Sequence, residues 1–351
     1  MAQVFLGMSG GVDSSAAAVL LQEQGYAVSG LHLSLLSGLP LPADRLPDDG
    51  SDARAVASLL GLPFYDMDLS PEFRATVIDY FIREYEAGRT PNPCVFCNRR
   101  IKFGAMWDAA QKLGADYLAT GHYAKIRQDP ATGRHLLCRG ADPSKDQSYF
   151  LCRLTQEQLS RTLFPLGNLE KSAVRALAEA HGLINAQKRD SQDICFVPDG
   201  DYASFIRSFT GRDYPRGEFV DKSGNVLGEH RGLIGYTVGQ RKGLGIALGE
   251  PKYVTALLPD ENRVVLGSNE DLMSRELDAK NFNFIAFDTP PAEFRASARV
   301  RYRQAEQPAT VRVTGEDTVH ITFDEPQRAI TKGQAVVVYY GDVVIGGGEI
   351  C

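Results

Sequence analysis

The string Gly7-Met8-Ser9-Gly10-Gly11-Val12-Asp13-Ser14-Ser15 constrains the fold more than any other stretch of the chain. It joins a short apolar run, residues 4–6, to a segment rich in Ala and Leu, residues 14–24. A glycine loop between a strand and a helix lets the backbone approach a phosphate. The amides that open the helix then face it with the positive end of the dipole. No lysine follows the glycines as in a Walker A loop, and the spacing is not GxGxxG, which argues against a dinucleotide site. Asp13 or Ser14 capping an ordinary helix would account for two glycines alone. The whole SGGVDSS string at such a junction is more specific and points to nucleotide phosphates.

The alternation continues beyond the loop. Residues 28–33 read as a second strand, and 52–60 and 71–85 as amphipathic helices, the latter opened by Ser70 as cap and Pro71 at the first helical position. Residues 101–113 read as a helix, 116–120 as a strand ending at Gly121-His122, and 172–181 as a helix with a serine cap and Gly182 to stop it. Strand and helix in turn predict an α/β domain, a parallel sheet with helices on both faces. Near residue 200 the texture changes. GEFVDKSGNVLGEH and YVTALLPDENRVVLG are hairpin-like, and from about residue 284 the runs ASARVRYRQ, ATVRVTG, TVHITFD and AVVVYYGDVVIGGG stay β. A small central β-rich domain and a C-terminal β-barrel are expected, with divisions at 1–200, 201–275 and 276–351. Residues 37–51 are loop by composition, and no internal repeat is visible.

A chain of 351 residues has room for these domains. No apolar run approaches the roughly 20 residues needed to cross a bilayer, and MAQVFLGMSGG enters a strand without a leader, so a cytoplasmic enzyme is expected. A formal charge of −6 confines any RNA-binding charge to local patches. Arg299, Arg301 and Arg303 alternate with Val300 and Tyr302. On a strand they would share one face, lying along phosphates or simply facing solvent.

Six cysteines, at 94, 97, 138, 152, 195 and 351, are too few for a disulfide scaffold of this length. Cys94-x-x-Cys97 reads instead as redox, metal or catalytic chemistry. Cys97 is placed just before the 101–113 helix with Arg99, Arg100 and Lys102 close behind, and both a helix N-terminus and nearby cations favour a thiolate. Cys195, in an ICFV context, fits a buried inert cysteine on its own residues.

GMSGGVDSS, GRTPNPCVFCNRRIKFG, ATGHYA, KDQSYFL, DICF, GQRKGLG and RYRQ follow in order across nearly the whole chain. Together they resemble the bacterial tRNA-specific 2-thiouridylases of the N-type ATP pyrophosphatase superfamily, which convert a wobble uridine, U34, to 2-thiouridine. The resemblance implies cleavage of ATP between its α and β phosphates, adenylylation of the uridine C2 oxygen, and displacement of AMP by sulfur. It implies that Cys195 bears a persulfide and that Cys97 is its partner, left in a disulfide with it. Gly7, Met8, Ser9, Gly10, Gly11, Val12, Asp13 and Ser14, with Leu33 and Gly121, would surround ATP, and Asp13 is a candidate to help hold Mg²⁺. Asn92, Pro93 and Cys94 would meet the target base. His122, Lys145, Asp146, Gln147, Arg301, Tyr302 and Gln334 would meet the tRNA. Sulfur is expected from a cysteine desulfurase, directly or through a persulfide relay.

One position departs from the common family pattern, in which many members carry aspartate where this chain has Cys94. That puts any acid/base role there in doubt and supplies a third thiol. Cys94, Cys97 and Cys195 would suffice for three irons of a [4Fe–4S] cluster, the fourth left open to sulfide. Zinc lacks an evident fourth ligand. The rival readings are an amidating synthetase or tRNA lysidine synthetase, which need no cysteine pair, and a non-catalytic sulfur carrier or RNA-binding protein. The complete SGGVDS loop speaks against the last.

Overall fold

The computed structural model describes residues 1–40, 50–188 and 194–351. Its first layer is built by β1 (Gln3–Gly7), α1 (Val12–Glu23), β2 (Ala27–Ser34), α2 (Ser51–Leu59) and β3 (Phe64–Asp68). A long helix follows in three pieces: α3 (Ser70–Phe73), a π turn (Arg74–Ile78) and α4 (Asp79–Glu86). A second has the same form: α5 (Pro93–Cys97), a π turn (Asn98–Ala105) and α6 (Met106–Lys112). Then come β4 (Tyr117–Ala119), the strands β5 (Ala124–Gln128) and β6 (His135–Arg139), α7 (Ser148–Leu151), α8 (Gln156–Ser160), β7 (Thr162–Leu163), α9 (Lys171–Ala180) and α10 (Tyr202–Thr210).

Strands β3-β2-β1-β4-β7 form a five-stranded sheet, parallel throughout. Alternation along β1 sorts the helices. Val4 and Leu6 join the core that holds α1, α2 and α9, whereas Phe5 faces the one that holds α4, α5 and α6. The doubly wound domain read from the sequence is present. Strand order reverses at β1, so Gly7 and the segment after β4 meet at the carboxyl edge, where such sheets bind ligands.

Three helix starts differ from expectation. Ser70 is already helical, and its amide donates to Asp68 Oδ1 at 2.9 Å, so the carboxylate and not the serine takes the exposed amide. Helix α9 begins at Lys171, one residue before the expected serine cap. The larger difference concerns the second helix. It begins at Pro93, eight residues before the expected start, so Cys97 lies inside it.

The central unit is a four-stranded sheet, β10 (Tyr253–Leu258), β11 (Arg263–Gly267), β8 (Gly217–Val220) and β9 (Val226–His230), in that order. Both hairpins read from the sequence, β8–β9 and β10–β11, are antiparallel pairs within it. The C-terminal strands β12 (Met273–Phe284), β15 (Val319–Arg328), β14 (Gln307–Val313), β13 (Glu293–Arg299), β16 (Ala335–Tyr340) and β17 (Val343–Ile350) close into a barrel through β12–β17 pairing.

The barrel does not stand apart from the first domain. β5 and β6 form a hairpin that extends the barrel sheet, with Cys138 opposite Val343. On β16, Val336 and Val338 fill the barrel interior, while Ala335, Val337 and Tyr339 point outward into the catalytic-domain core. The unbroken apolar run AVVVYY is thereby explained, since a strand buried on both faces need not alternate. Tyr149 is fully buried at this seam and its hydroxyl donates to the Ala335 carbonyl at 2.7 Å. Gly347 on β17 lies so close to Cys152 that a Cβ would sit 2.5 Å from its sulfur. Gly347→Ala should therefore destabilise the protein by about 1–3 kcal/mol through overpacking. Adding Cys152→Ala should recover part of the loss, measured as a double-mutant cycle by chemical denaturation.

Candidate active site

The glycine loop takes the shape its sequence requires. Gly10 adopts φ +70, in the left-handed region, and Gly11 is the N-cap of α1 with no side chain capping the helix. The opening amides of α1 are thus not taken by Asp13 or Ser14. Ser14 Oγ accepts from the Ser9 amide at 3.3 Å and donates to the Gly11 carbonyl at 3.1 Å, bracing the loop from inside. Asn185 braces it from outside, donating to the Gly10 carbonyl at 3.0 Å and to Ser15 Oγ at 2.7 Å. After β4, Gly121 passes directly beneath, and a Cβ there would lie 2.9 Å from the backbone of Asp13 and Ser14. Leu33, half-buried near the end of β2, packs on the adjacent core. An extended phosphate chain fits this cradle.

Asp13 carries the loop's negative charge, and Lys171 meets it with Nζ at 2.7 and 2.8 Å from its two oxygens. The Tyr123 hydroxyl donates to the same carboxylate at 2.7 Å. A divalent ion at Asp13 therefore requires exchange with Lys171, which would free that ammonium for phosphate. Sequence reasoning missed Lys171 and Asn185, because each sits in ordinary helical or loop text far from the motif. Tyr123 lay within ATGHYA without being singled out.

The thiols gather at the second helix. Cys97 is buried among apolar side chains beside Val95, Ile101 and Phe196. Two aromatic contacts on the first long helix fix the arrangement: Tyr80 stacks on Phe96 at 4.0 Å, and Phe81 meets Phe196 edge-on at 5.2 Å. The residues preceding and following these rings, Cys97 after Phe96 and Cys195 before Phe196, are brought to one place. Burial pushes the Cys97 thiol up to about 11; Lys102 pulls the other way, and Cys94 adds to the rise. The thiolate expected from a helix N-terminus is therefore corrected, because Cys97 is a full turn inside its helix and out of water. Cys94 occupies that N-terminal turn and is half-buried. Cys195 is exposed at the surface but closely surrounded. Burial first, then the thiols of Cys97 and Cys94, push it above its ordinary value, and Lys102 pulls the other way. Among the described residues, no group of three or more His, Cys, Asp or Glu side chains is placed to hold a metal ion.

Lys102 links the two halves of the site. It acts on Cys97, on Cys195 and on His122, which follows Gly121. His122 is buried between Phe103 and Phe164, with Nδ1 2.7 Å from Thr120 Oγ1. Burial lowers its pKa well below the usual range, so it carries no charge for a phosphate in this state. The intervening π turn is held by Gln158, whose amide donates to the Arg99 and Phe103 carbonyls at 2.9 and 2.8 Å.

Several residues expected at the tRNA hold the protein together. Asp146 is buried, accepting from the Gly140 and Ser148 amides at 3.1 Å each, and Gln147 Oε1 accepts from the Tyr123 amide at 3.0 Å. Lys145 lies half-buried beside them. Gln334 donates to the Thr90 carbonyl at 2.8 Å and the Pro91 carbonyl at 3.3 Å, just ahead of Asn92, Pro93 and Cys94. The arginine strand is corrected too. β13 ends at Arg299 and residues 301–304 turn, so the three guanidiniums share no face. Arg299 lies over the Tyr339 ring at 5.5 Å, and Tyr302 packs on Phe150 at 4.4 Å. Arg301 Nη2 donates to Thr331 Oγ1 at 2.7 Å, to the Val238 carbonyl at 3.0 Å and to the Ala329 carbonyl at 3.4 Å. Arg303 is exposed.

A glycine loop at the switch point of a parallel sheet, without a Walker lysine, defines a nucleotide-using α/β enzyme of the ATP pyrophosphatase type. Comparison with known proteins agrees. The tRNA methyl transferase HUP domain family matches residues 2–199, its PRC-barrel domain 203–268, and the aminomethyltransferase β-barrel domain 274–350. The tRNA-specific 2-thiouridylase MnmA of Clostridioides difficile strain 630 is 49% identical over 356 residues, covering 99% of this chain and 98% of that protein. The protein of the same name from Moorella thermoacetica is 50% identical over 353 residues, with 98% of each covered. The U34-tRNA thiolase NcsA of Methanococcus maripaludis, solved with its [4Fe-4S] cluster, overlaps at a TM-score of 0.35. Its identity is 18%, over 60% of this chain and 70% of that one, too slight a likeness to transfer a cluster. The chain belongs to the tRNA-specific 2-thiouridylase family.

Two outcomes test this geometry. The neutral Cys97 thiol stabilises the fold below its ordinary value of 9.0, and that stability is lost as pH rises through about 11. Thiolate ultraviolet absorbance, wild type minus Cys97→Ser, should accordingly show a step near about 11 and none near neutrality. Arg301→Ala, which breaks a buried charged hydrogen-bond set, should cost about 1.5–3 kcal/mol of stability. Arg303→Ala should leave the thermal midpoint unmoved.

Proposed function

We propose that the chain is a tRNA-uridine 2-sulfurtransferase that uses ATP to replace the C2 oxygen of a wobble uridine with sulfur. The observation that carries this reading is the grouping of the thiols with the segment that packs under the nucleotide loop. Asp13 and Ser14 rest on Gly121, His122 follows it, and the one ammonium of Lys102 is near enough to act on His122, Cys97 and Cys195 through its charge. An amidating synthetase or a lysidine synthetase has no use for paired thiols, and a non-catalytic sulfur carrier has no use for a complete SGGVDS loop.

In this reading ATP lies along the loop from Gly7 to Ser14, with Leu33 and Gly121 beside it. Its pyrophosphate faces the opening amides of α1, and Lys171 neutralises charge as it develops. Mg²⁺, held with the help of Asp13, would supply further charge stabilisation. The C2 oxygen attacks the α phosphate and pyrophosphate departs. A sulfur donor protein, a cysteine desulfurase or its relay, has by then left a persulfide on Cys195. Its terminal sulfur attacks C2 and AMP leaves. Cys97 then attacks the inner sulfur, forming the Cys97–Cys195 disulfide and releasing 2-thiouridine. Deep burial keeps Cys97 protonated until it is used, which limits reaction with stray oxidants.

Asn92, Pro93 and Cys94 would frame the extruded base, positioned by Gln334. Lys145, Arg301 and Tyr302 would meet the tRNA backbone, and His122, Asp146 and Gln147 would shape that surface from beneath. The units of the enzyme divide at 1–200, 201–275 and 276–351. Among the described residues no helix is long and apolar enough to cross a membrane, and work on tRNA places the enzyme in the cytoplasm.

With tRNA and a persulfide source, the nucleotide products should be AMP and pyrophosphate. Cys97→Ser and Cys195→Ser should each abolish 2-thiouridine while leaving ATP affinity within about threefold, since neither thiol lines the phosphate loop. ADP and phosphate on chromatography, or thiolation retained by either variant, would sink the reading.

A further inference from the structure

Three thiols converge where the sulfur chemistry needs two. Cys94 and Cys97 stand three residues apart in α5 and so share one face of the helix, with Cβ atoms roughly 5–6 Å apart. A helical pair at this spacing has Cα atoms within the roughly 4.4–6.8 Å that a disulfide spans, and its Cβ atoms must close by about 1–2 Å to bond. Cys94 lies in the first turn, directly after Pro93, so a small closing movement there breaks no upstream helical hydrogen bond. Contacts of Phe196 with Phe73 and Phe81, and of Phe96 with Tyr80, hold Cys195 near enough for both helix thiols to act on it. Accessibility is graded across the three: Cys97 buried, Cys94 half-buried, Cys195 exposed.

We propose that Cys94 resets the enzyme by taking Cys97 out of its disulfide with Cys195. This inference rests on the persulfide–disulfide reading above. The Cys94 thiol attacks the Cys97 sulfur, the Cys97–Cys195 bond breaks, and a Cys94–Cys97 bond forms. Cys94 gives up one proton and the departing Cys195 sulfur takes one, so the exchange needs no outside oxidant or reductant. Cys195 is at once a free thiol, ready for the next persulfide. The electrons come later and elsewhere, when a dithiol reductant opens Cys94–Cys97. An intramolecular thiol one helical turn away works at an effective concentration that a dissolved reductant does not match.

The test uses the full-length enzyme with tRNA, ATP, a cysteine desulfurase and L-cysteine, without added reductant. After one turnover the reaction is acid-quenched, alkylated, digested and mapped by mass spectrometry. Wild type should yield a loop within one peptide, Cys94 to Cys97, with Cys195 alkylated. Cys94→Ser should instead trap a cross-link between two peptides, Cys97 to Cys195. With a limiting dithiol it should make about one 2-thiouridine per enzyme and then slow at least tenfold relative to wild type. Cys94→Asp, the residue many relatives carry, should behave as Cys94→Ser does and guards against a folding defect in one variant. Cys97–Cys195 as the sole product in wild type, with Cys94→Ser cycling at the wild-type rate, overturns the role of Cys94 and leaves the persulfide reading standing. Thiolation with no Cys97 disulfide in any of the proteins overturns the persulfide reading itself, and this inference with it.

Discussion

The outward face of β16 holds this enzyme together. Ala335, Val337 and Tyr339 leave the barrel and enter the core of the catalytic domain, where Tyr149 and Leu151 are also fully buried. Burial on this scale, at roughly 1.5–3 kcal/mol for each large apolar side chain, makes a seam and not a hinge. Everything placed across it inherits that rigidity. The amide of Thr90 donates to the Lys332 carbonyl at 2.9 Å, and Gln334 grips the next two carbonyls. The turn that leads into Cys94 and Cys97 is thus set by residues of the barrel, and Arg301 ties the barrel to the central unit by holding the Val238 carbonyl.

That arrangement also explains why polar residues of the family motifs point inward. Asp146, Gln147, Arg301 and Gln334 each satisfy backbone groups at turns and seams, where an unpaired amide or carbonyl would be costly. The half-buried Arg301 guanidinium is held there by two carbonyl oxygens and a hydroxyl.

Much of this was legible in the residues. The loop and its flanking periodicities give the doubly wound sheet, because phosphate cradles, strand alternation and helix caps leave local marks. The hairpins around Gly224 and Asn262 were visible for the same reason, as turn residues between short apolar runs. The failures were non-local. Cys97 was read at a helix start because TPNPC looks like loop, yet Pro93 suits the first helical turn and Gln158, far along the chain, secures the π turn that follows. Arg299, Arg301 and Arg303 alternate like a strand, but the turn at 301–304 is fixed by Val238, Ala329 and Thr331, none of them nearby in sequence. Lys171 finds Asp13 across 158 positions. The hairpin β5–β6 gave no sign that its sheet partner would be β17.

β17 divides its outer edge between two partners, Cys138 of the catalytic domain at its start and β12 of the barrel further on. The strands that cover the catalytic core are therefore made well after the core itself. At common rates of synthesis, β16 and β17 emerge roughly 10–30 s after the parallel sheet is complete. Through that interval the first domain holds its nucleotide loop in place but leaves Tyr149, Leu137 and Cys152 without their cover. The growing chain passes through a stage that is sticky as well as unfinished, and that stage closes only when the β16–β17 hairpin docks.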